Sequence, residues 1–141
     1  GSYNKSWYSE AYKDLTFSII LGSSHNFHQK LIDDSCIALV DILVKHKINA
    51  HQKKPNDIYV DNRKIAGILL SNTQTSNNLF YQSLSLGINI NSDIDLKNFE
   101  KNSKVNHTSF YKELGKKMNR EKILIEIIES LDKVIQKQVY Q

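Results

Sequence analysis

Between Ile48 and Ile90 the chain carries apolar segments too short for helices and separated by polar turns, which makes an antiparallel sheet the centre of any fold it can adopt. Residues 58–60 and 64–70 flank Asp61-Asn62-Arg63, residue types that tolerate left-handed backbone, so the pair predicts a hairpin. A second hairpin turns through residues 71–78 and returns along 79–90, where Phe80, Gln82, Leu84 and Leu86 alternate with their neighbours. Ahead of both, residues 48–53 form a short strand that must stop or bulge at Pro55, which has no N–H to continue a ladder. Residues 15–21, with Thr16 and Ser18 alternating, supply a further strand that Gly22-Ser23-Ser24 ends.

Helical periodicity lies on either side of this block. Over residues 26–47, Leu31, Ile32, Cys36, Leu39, Val40, Leu43 and Val44 recur every three or four positions and draw one apolar stripe. A short helix over 109–114 stops at Gly115, and Asn119 caps a last helix striped by Leu124, Ile127, Ile128, Leu131, Val134 and Ile135. The polar stretch 91–106 reads as a surface connection. The expected architecture is α+β: an antiparallel or mixed sheet backed by helices.

With 141 residues, 40% hydrophobic and 24% charged, the chain has the size and composition of one globular domain. Its longest apolar runs, 17–21 and 65–70, are far below the roughly 20 residues of a bilayer span, and no secretion signal is visible at its start. The lone Cys36 cannot form an internal disulfide and fits a small buried side chain; a reducing cytoplasm is the expected setting. The net charge of +4 suits phosphate-bearing ligands or acidic proteins, but the basic residues are scattered, which argues against a nucleic-acid module. His25 and His28 have a spacing that can bind metal, yet no carboxylate or Cys completes a set nearby, so no metal site is expected.

The segment Lys53-Lys54-Pro55-Asn56-Asp57, followed by Lys64-Ile65-Ala66-Gly67-Ile68-Leu69, closely resembles the central signature of the biotin protein ligases. That signature usually reads Lys-Trp-Pro-Asn-Asp, then Lys-(Leu/Ile)-Ala-Gly-Ile-Leu. Trp7-Tyr8-Ser9-Glu10 before Leu15-Thr16-Phe17-Ser18, Leu86-Gly87-Ile88-Asn89-Ile90-Asn91, and His107-Thr108-Ser109 with Gly115 and Arg120-Glu121 follow in the family's order. The resemblance thus covers essentially the whole chain. It implies the fold shared by biotin protein ligases and class II aminoacyl-tRNA synthetases, with residues 1–141 forming a single, N-terminally incomplete catalytic domain.

The resemblance further implies an ATP-dependent ligase that makes biotinyl-5′-AMP and transfers biotin to a lysine of a biotin carboxyl carrier protein, with Mg2+ accompanying ATP. By the family's pattern Lys53 is the catalytic lysine, in contact with the biotin carboxyl and the adenylate phosphate. Lys64 and Asn89 would reach phosphates and Trp7 would lie against adenine, while Gly1 and Lys5 fall on the nucleotide-shielding loop. Asn56, Asp57, Ala66, Gly67, Ile68, Leu69 and Gly87 complete the binding set, the two glycines letting a flat ligand approach the backbone. Read from residue type alone, Lys64 suits a solvated hairpin equally well, Asn56 and Asp57 suit a turn, and Lys54 reads as a surface lysine. Family members often dimerise, so a homodimer is also implied. The chain departs from the pattern at Ser2, Ala11-Tyr12, Lys54, Ser71 and Ser85, which motivates an alternative: a catalytically impaired homologue that binds biotin, nucleotide or carrier without turnover. A lipoate ligase or octanoyl transferase is the third reading.

Overall fold

The computed structural model describes residues 12–22, 24–92 and 105–140. Strands β1 (Leu15–Leu21), β2 (Ala50–Lys53), β3 (Asp57–Val60), β4 (Arg63–Gln74), β5 (Phe80–Ile88) and β6 (Asn106–His107) form one sheet. Its order is β1-β5-β4-β3-β2, with antiparallel neighbours throughout. The short β6 lies parallel to β4 at Arg63 and Lys64. The expected α+β architecture is the one found, and this last pairing makes the sheet a mixed one.

Alternation sorts each strand into two faces. Leu15, Leu21, Leu84, Leu86, Ile88, Ala66, Ile68, Ile58, Val60 and Ala50 join one apolar cluster with the helix stripes. Those stripes are Leu31, Cys36, Leu39, Ile42 and Leu43 of α1 (Gln29–Lys45), and Ile123, Ile127 and Leu131 of α3 (Arg120–Val139). The other face carries Thr16, Ser18 and Ile20 on β1, all exposed, and Leu69 on β4. Between α1 and α3 in sequence lies the single-turn α2 (Phe110–Leu114).

Local chemistry sets the boundaries. Ser109 accepts a hydrogen bond from Lys112 N to open α2, and Gly115 closes it in the left-handed region at φ 71°. The Asn119 side chain likewise caps α3 through Lys122 N. Helix α1 starts at Gln29, three residues later than the stripe suggested, because His28 is still extended. Strand β4 runs four residues beyond Leu70, to Gln74, since the polar residues Ser71–Gln74 pair with Phe80–Ser83. The turn of the second hairpin is correspondingly shorter, with Thr75 N bonded to Leu79 O. Asp61 takes φ 53° in the first hairpin turn, as its residue type allows.

One irregularity decides which face Lys64 takes. Asp57 pairs with Gly67 and Ile58 with Ala66, but Tyr59 pairs with Lys64, so Ile65 is the extra residue of a β-bulge. Ile65 and Ala66 both turn into the core, which puts Lys64 on the same side of the sheet as Gly67.

Candidate functional site

The register lines up five positions across the sheet. Thr16 on β1 pairs with Gly87 on β5, Gly87 with Gly67 on β4, Gly67 with Asp57 on β3, and Asp57 with Lys53 on β2. Directly paired residues point to one face, so this row crosses the face turned away from the helices. Two adjacent glycines at its centre carry no side chain, so peptide backbone alone forms the floor there, about one strand spacing or roughly 5 Å wide, and both residues are buried.

Charge borders this strip. Lys64 Nζ is 2.9 Å from Asp57 Oδ1, and a Cβ built on Gly67 would lie 3.3 Å from that oxygen and 3.4 Å from Nζ. The ion pair therefore rests against the glycine floor, with the Lys64 side chain only 12% exposed. Lys53 stands at the edge, two strands or roughly 10 Å from Gly67. Its Nζ lies 4.5 Å from the centroid of the Tyr59 ring. Of the two expected cations, Lys64 is thus the nearer to the glycines.

The bend after Lys53 is braced by α1. Gln29 Nε2 donates to Pro55 O at 2.9 Å and to Asp33 Oδ1 at 3.2 Å. Gln52 Nε2 also donates to Asp33 Oδ1, and Lys54 Nζ lies 3.6 Å from it. These contacts, led by the Gln29 bond, hold the Asp33 carboxyl below its ordinary value. Lys54 thus points to α1 while Lys53 points to the site face, and the Lys54–Pro55 peptide is cis. Asn56, buried, donates from Nδ2 to Ile68 O at 2.8 Å and accepts from Ile68 N through its carbonyl, which clamps the bend onto β4.

The remaining expected residues divide between backbone and interior. Ala66 and Ile68 belong to the core, so only their peptide groups border the site, whereas Leu69 is exposed on the site face. Asn89 is fully buried; its amide donates to Thr108 O, its N–H to Ile65 O, and its carbonyl accepts from Phe110 N. It joins the end of β5 to β4 and α2. Gly1, Lys5 and Trp7 lie outside the described residues. Cys36 is buried inside α1, which pushes its thiol up to about 12 and removes it as a nucleophile. Among the described residues no three His, Cys, Asp or Glu side chains converge on a metal position. A cavity of about 530 Å³ near His25, His28 and Phe80 opens at the far end of β5, away from the glycine row.

Two features escaped the sequence reading. Tyr59 follows Asp57 by two positions, so alternation alone would have put it on the site face. The brace of Gln29, Asp33 and Gln52 had no sequence signal, since it joins residues about twenty positions apart.

Residues 1–90 match the model of the Biotin/lipoate A/B protein ligase family. The chain belongs to this family. No curated protein sequence matches it. Among solved structures, this family member resembles a biotin protein ligase from Aquifex aeolicus in complex with biotin and ATP, with a TM-score of 0.73 and 20% identity over 92% of this chain and 53% of that one. A biotin acetyl coenzyme A carboxylase synthetase from Helicobacter pylori, with bound biotinylated ATP, gives 0.58 at 20% identity over 97% and 55%. A Plasmodium falciparum protein in complex with lipoate gives 0.62 at 16% over 92% and 37%. The ligase-family chain thus spans about half the length of the Aquifex structure. Among the described residues no helix is long and apolar enough to cross a membrane.

Proposed function

We propose that residues 1–141 are a catalytic-domain unit that activates biotin with MgATP and passes it to a lysine of a biotin carboxyl carrier protein in the cytoplasm. In the first step a biotin carboxylate oxygen attacks the α-phosphorus, the bond to the β-phosphate oxygen breaks, and pyrophosphate leaves. In the second step the carrier amine attacks the acyl carbonyl, an amide bond forms, AMP departs, and the amine's proton is lost to solvent. Both steps gather negative charge at one phosphate, so fixed cations beside it lower the barrier.

The row Thr16–Gly87–Gly67–Asp57–Lys53 carries this reading. The glycine strip is the floor for the ring system, and the Lys53 ammonium meets the carboxylate and then the adenylate phosphate. Lys64 is the second cation, and phosphate must compete with Asp57 for it. Mg2+ enters as part of MgATP, which needs few protein ligands. Trp7 against adenine, and Gly1 and Lys5 on the shielding loop, follow from the family pattern. Asn56 and Asn89 act by holding the bend and the end of β5 in place.

The full-length natural protein, incubated with biotin, MgATP and a biotin carboxyl carrier domain, is expected to yield biotinylated carrier. Absence of both transfer and pyrophosphate release would overturn the reading. Two specific observations support a second one. The Asp57–Lys64 pair at 2.9 Å neutralises one expected cation, and Ser85 stands where the pattern has glycine, in line with a homologue that binds without turnover. Such a protein would bind biotin with no gain in affinity on adding ATP. The family also includes lipoate ligases, so lipoate in place of biotin is the competition arm of the same assay.

A further inference from the structure

We infer that Tyr59 is the positioning residue for Lys53: its ring holds the ammonium at the site face while leaving the positive charge undiminished. This rests on the activity proposed above, and it begins from what surrounds Lys53. The carboxylate best placed to pair with Lys53 is Asp57, its direct cross-strand partner. That carboxylate is held by Lys64 at 2.9 Å. Among the described residues Lys53 has no ion pair, and its Nζ lies over the Tyr59 ring at 4.5 Å from the centroid.

The geometry follows from the register. Lys53 and Tyr59 are diagonal neighbours on adjacent strands, a separation that a long side chain spans. Tyr59 itself is only 6% exposed, so its ring is a fixed platform, whereas Lys53 sits on the edge strand of the main path, where its four-carbon stem would otherwise sweep solvent. Tyr59 is also the direct partner of Lys64. Tyr59 thus shares the face to which the bulge has turned Lys64.

The choice of partner has a chemical consequence. A carboxylate would hold the amine equally well, but it would cancel the charge and would have to be displaced before an anion could bind. The face of an aromatic ring attracts a cation through its quadrupole and carries no net charge. The ammonium is therefore aimed and still fully cationic when the carboxylate of the acid and the phosphates of the nucleotide arrive. Among the described residues Lys64 is paired with a carboxylate and Lys53 is not.

The test compares wild type, Tyr59→Phe and Tyr59→Leu, each alone and with Lys53→Ala, in the full-length protein. Two quantities are read: kcat/KM for MgATP in biotin-dependent pyrophosphate release, and the NMR shift of the Lys53 ε-methylene, which the ring current moves upfield. Tyr59→Leu is expected to lower kcat/KM about two- to fivefold, the size of a cation–π contact at an exposed site. It should also return the ε-methylene to its free-chain position. Tyr59→Phe should change neither, and Tyr59→Leu should add no loss in the Lys53→Ala background. An equal loss in that background, or an ε-methylene shift indifferent to the ring, overturns the inference. If Tyr59→Leu does not fold, the wild-type shift decides, since a free-chain value there excludes the contact. If wild type releases no pyrophosphate, the proposed activity fails, and the NMR arm alone upholds or overturns the positioning of Lys53.

Discussion

Lys53 and Lys64 illustrate how residues of one kind acquire different surroundings from position alone. Both are lysines on the site face, but one is compensated by a carboxylate and the other is held by a ring. Lys53→Ala is therefore expected to reduce adenylate formation about 100-fold, as loss of a preorganised charge contact does, while leaving the melting temperature nearly unchanged because the side chain is exposed. Gly67→Ala separates floor from fold in the opposite sense. The new methyl would press on Asp57 and Lys64 at 3.3–3.4 Å, contacts that the flexible lysine can relieve. The variant should fold, with biotin affinity measured by calorimetry falling at least tenfold, because a methyl then stands on the glycine floor beside the Asp57–Lys64 pair. The motif made Lys53, Gly67 and Gly87 the expected site residues. It could not announce that Asp57 is taken by Lys64, since that depends on a single extra residue in β4.

Caps were readable because they are local, and so were most stripe positions, although Val44 and Ile128 stand exposed. Asn119→Ala should lower stability by about 1 kcal/mol in urea unfolding, since the bond to Lys122 N has no substitute in the first turn. Leu131→Ala, which empties a fully buried position of α3, should cost about 2–5 kcal/mol. Strand ends were less readable: Ser71–Gln74 are polar, yet they extend β4 because Phe80–Ser83 lie opposite. The brace between α1 and the bend also makes a pH prediction. The Asp33 carboxyl is lowered below its ordinary 3.8, chiefly by the Gln29 bond, so the folded state binds its proton less readily than the unfolded chain. Its stabilising contribution is complete above 3.8 and lost as pH falls through the lowered folded value. Thermal melts recorded from about pH 5 down to about pH 2 should show a smaller acid-side decline in Asp33→Asn than in wild type.

Across the molecule, the site face is completed by chain that arrives late. Thr108 N donates to Lys64 O, Thr108 Oγ1 to Glu113 Oε2 at 2.5 Å, and Arg63 Nη1 lies 3.1 Å from the same carboxylate oxygen. Glu113→Ala is thus expected to speed amide exchange at Thr108 while leaving Ile68, whose N–H is bonded to Asn56 O, protected. Uniform acceleration at both amides would show that β6 and the central strands open together. The fold class followed from periodicity, but the parallel pairing of β6 did not, because two residues inside a polar tract carry no strand signal.

The bulge at Ile65 has one more consequence, for how this stretch can change over generations. Side chains between Ile58 and Gly67 can be exchanged one at a time with graded effects, because each exchange leaves the phase of the strand intact. Removing Ile65, or adding a residue beside it, would swing the Lys64 amine toward the apolar interior and present a hydrocarbon to the anion. The spacing of the two amines is therefore guarded against insertions and deletions more strictly than against replacement, and deep mutational libraries that include both kinds of change should record that difference.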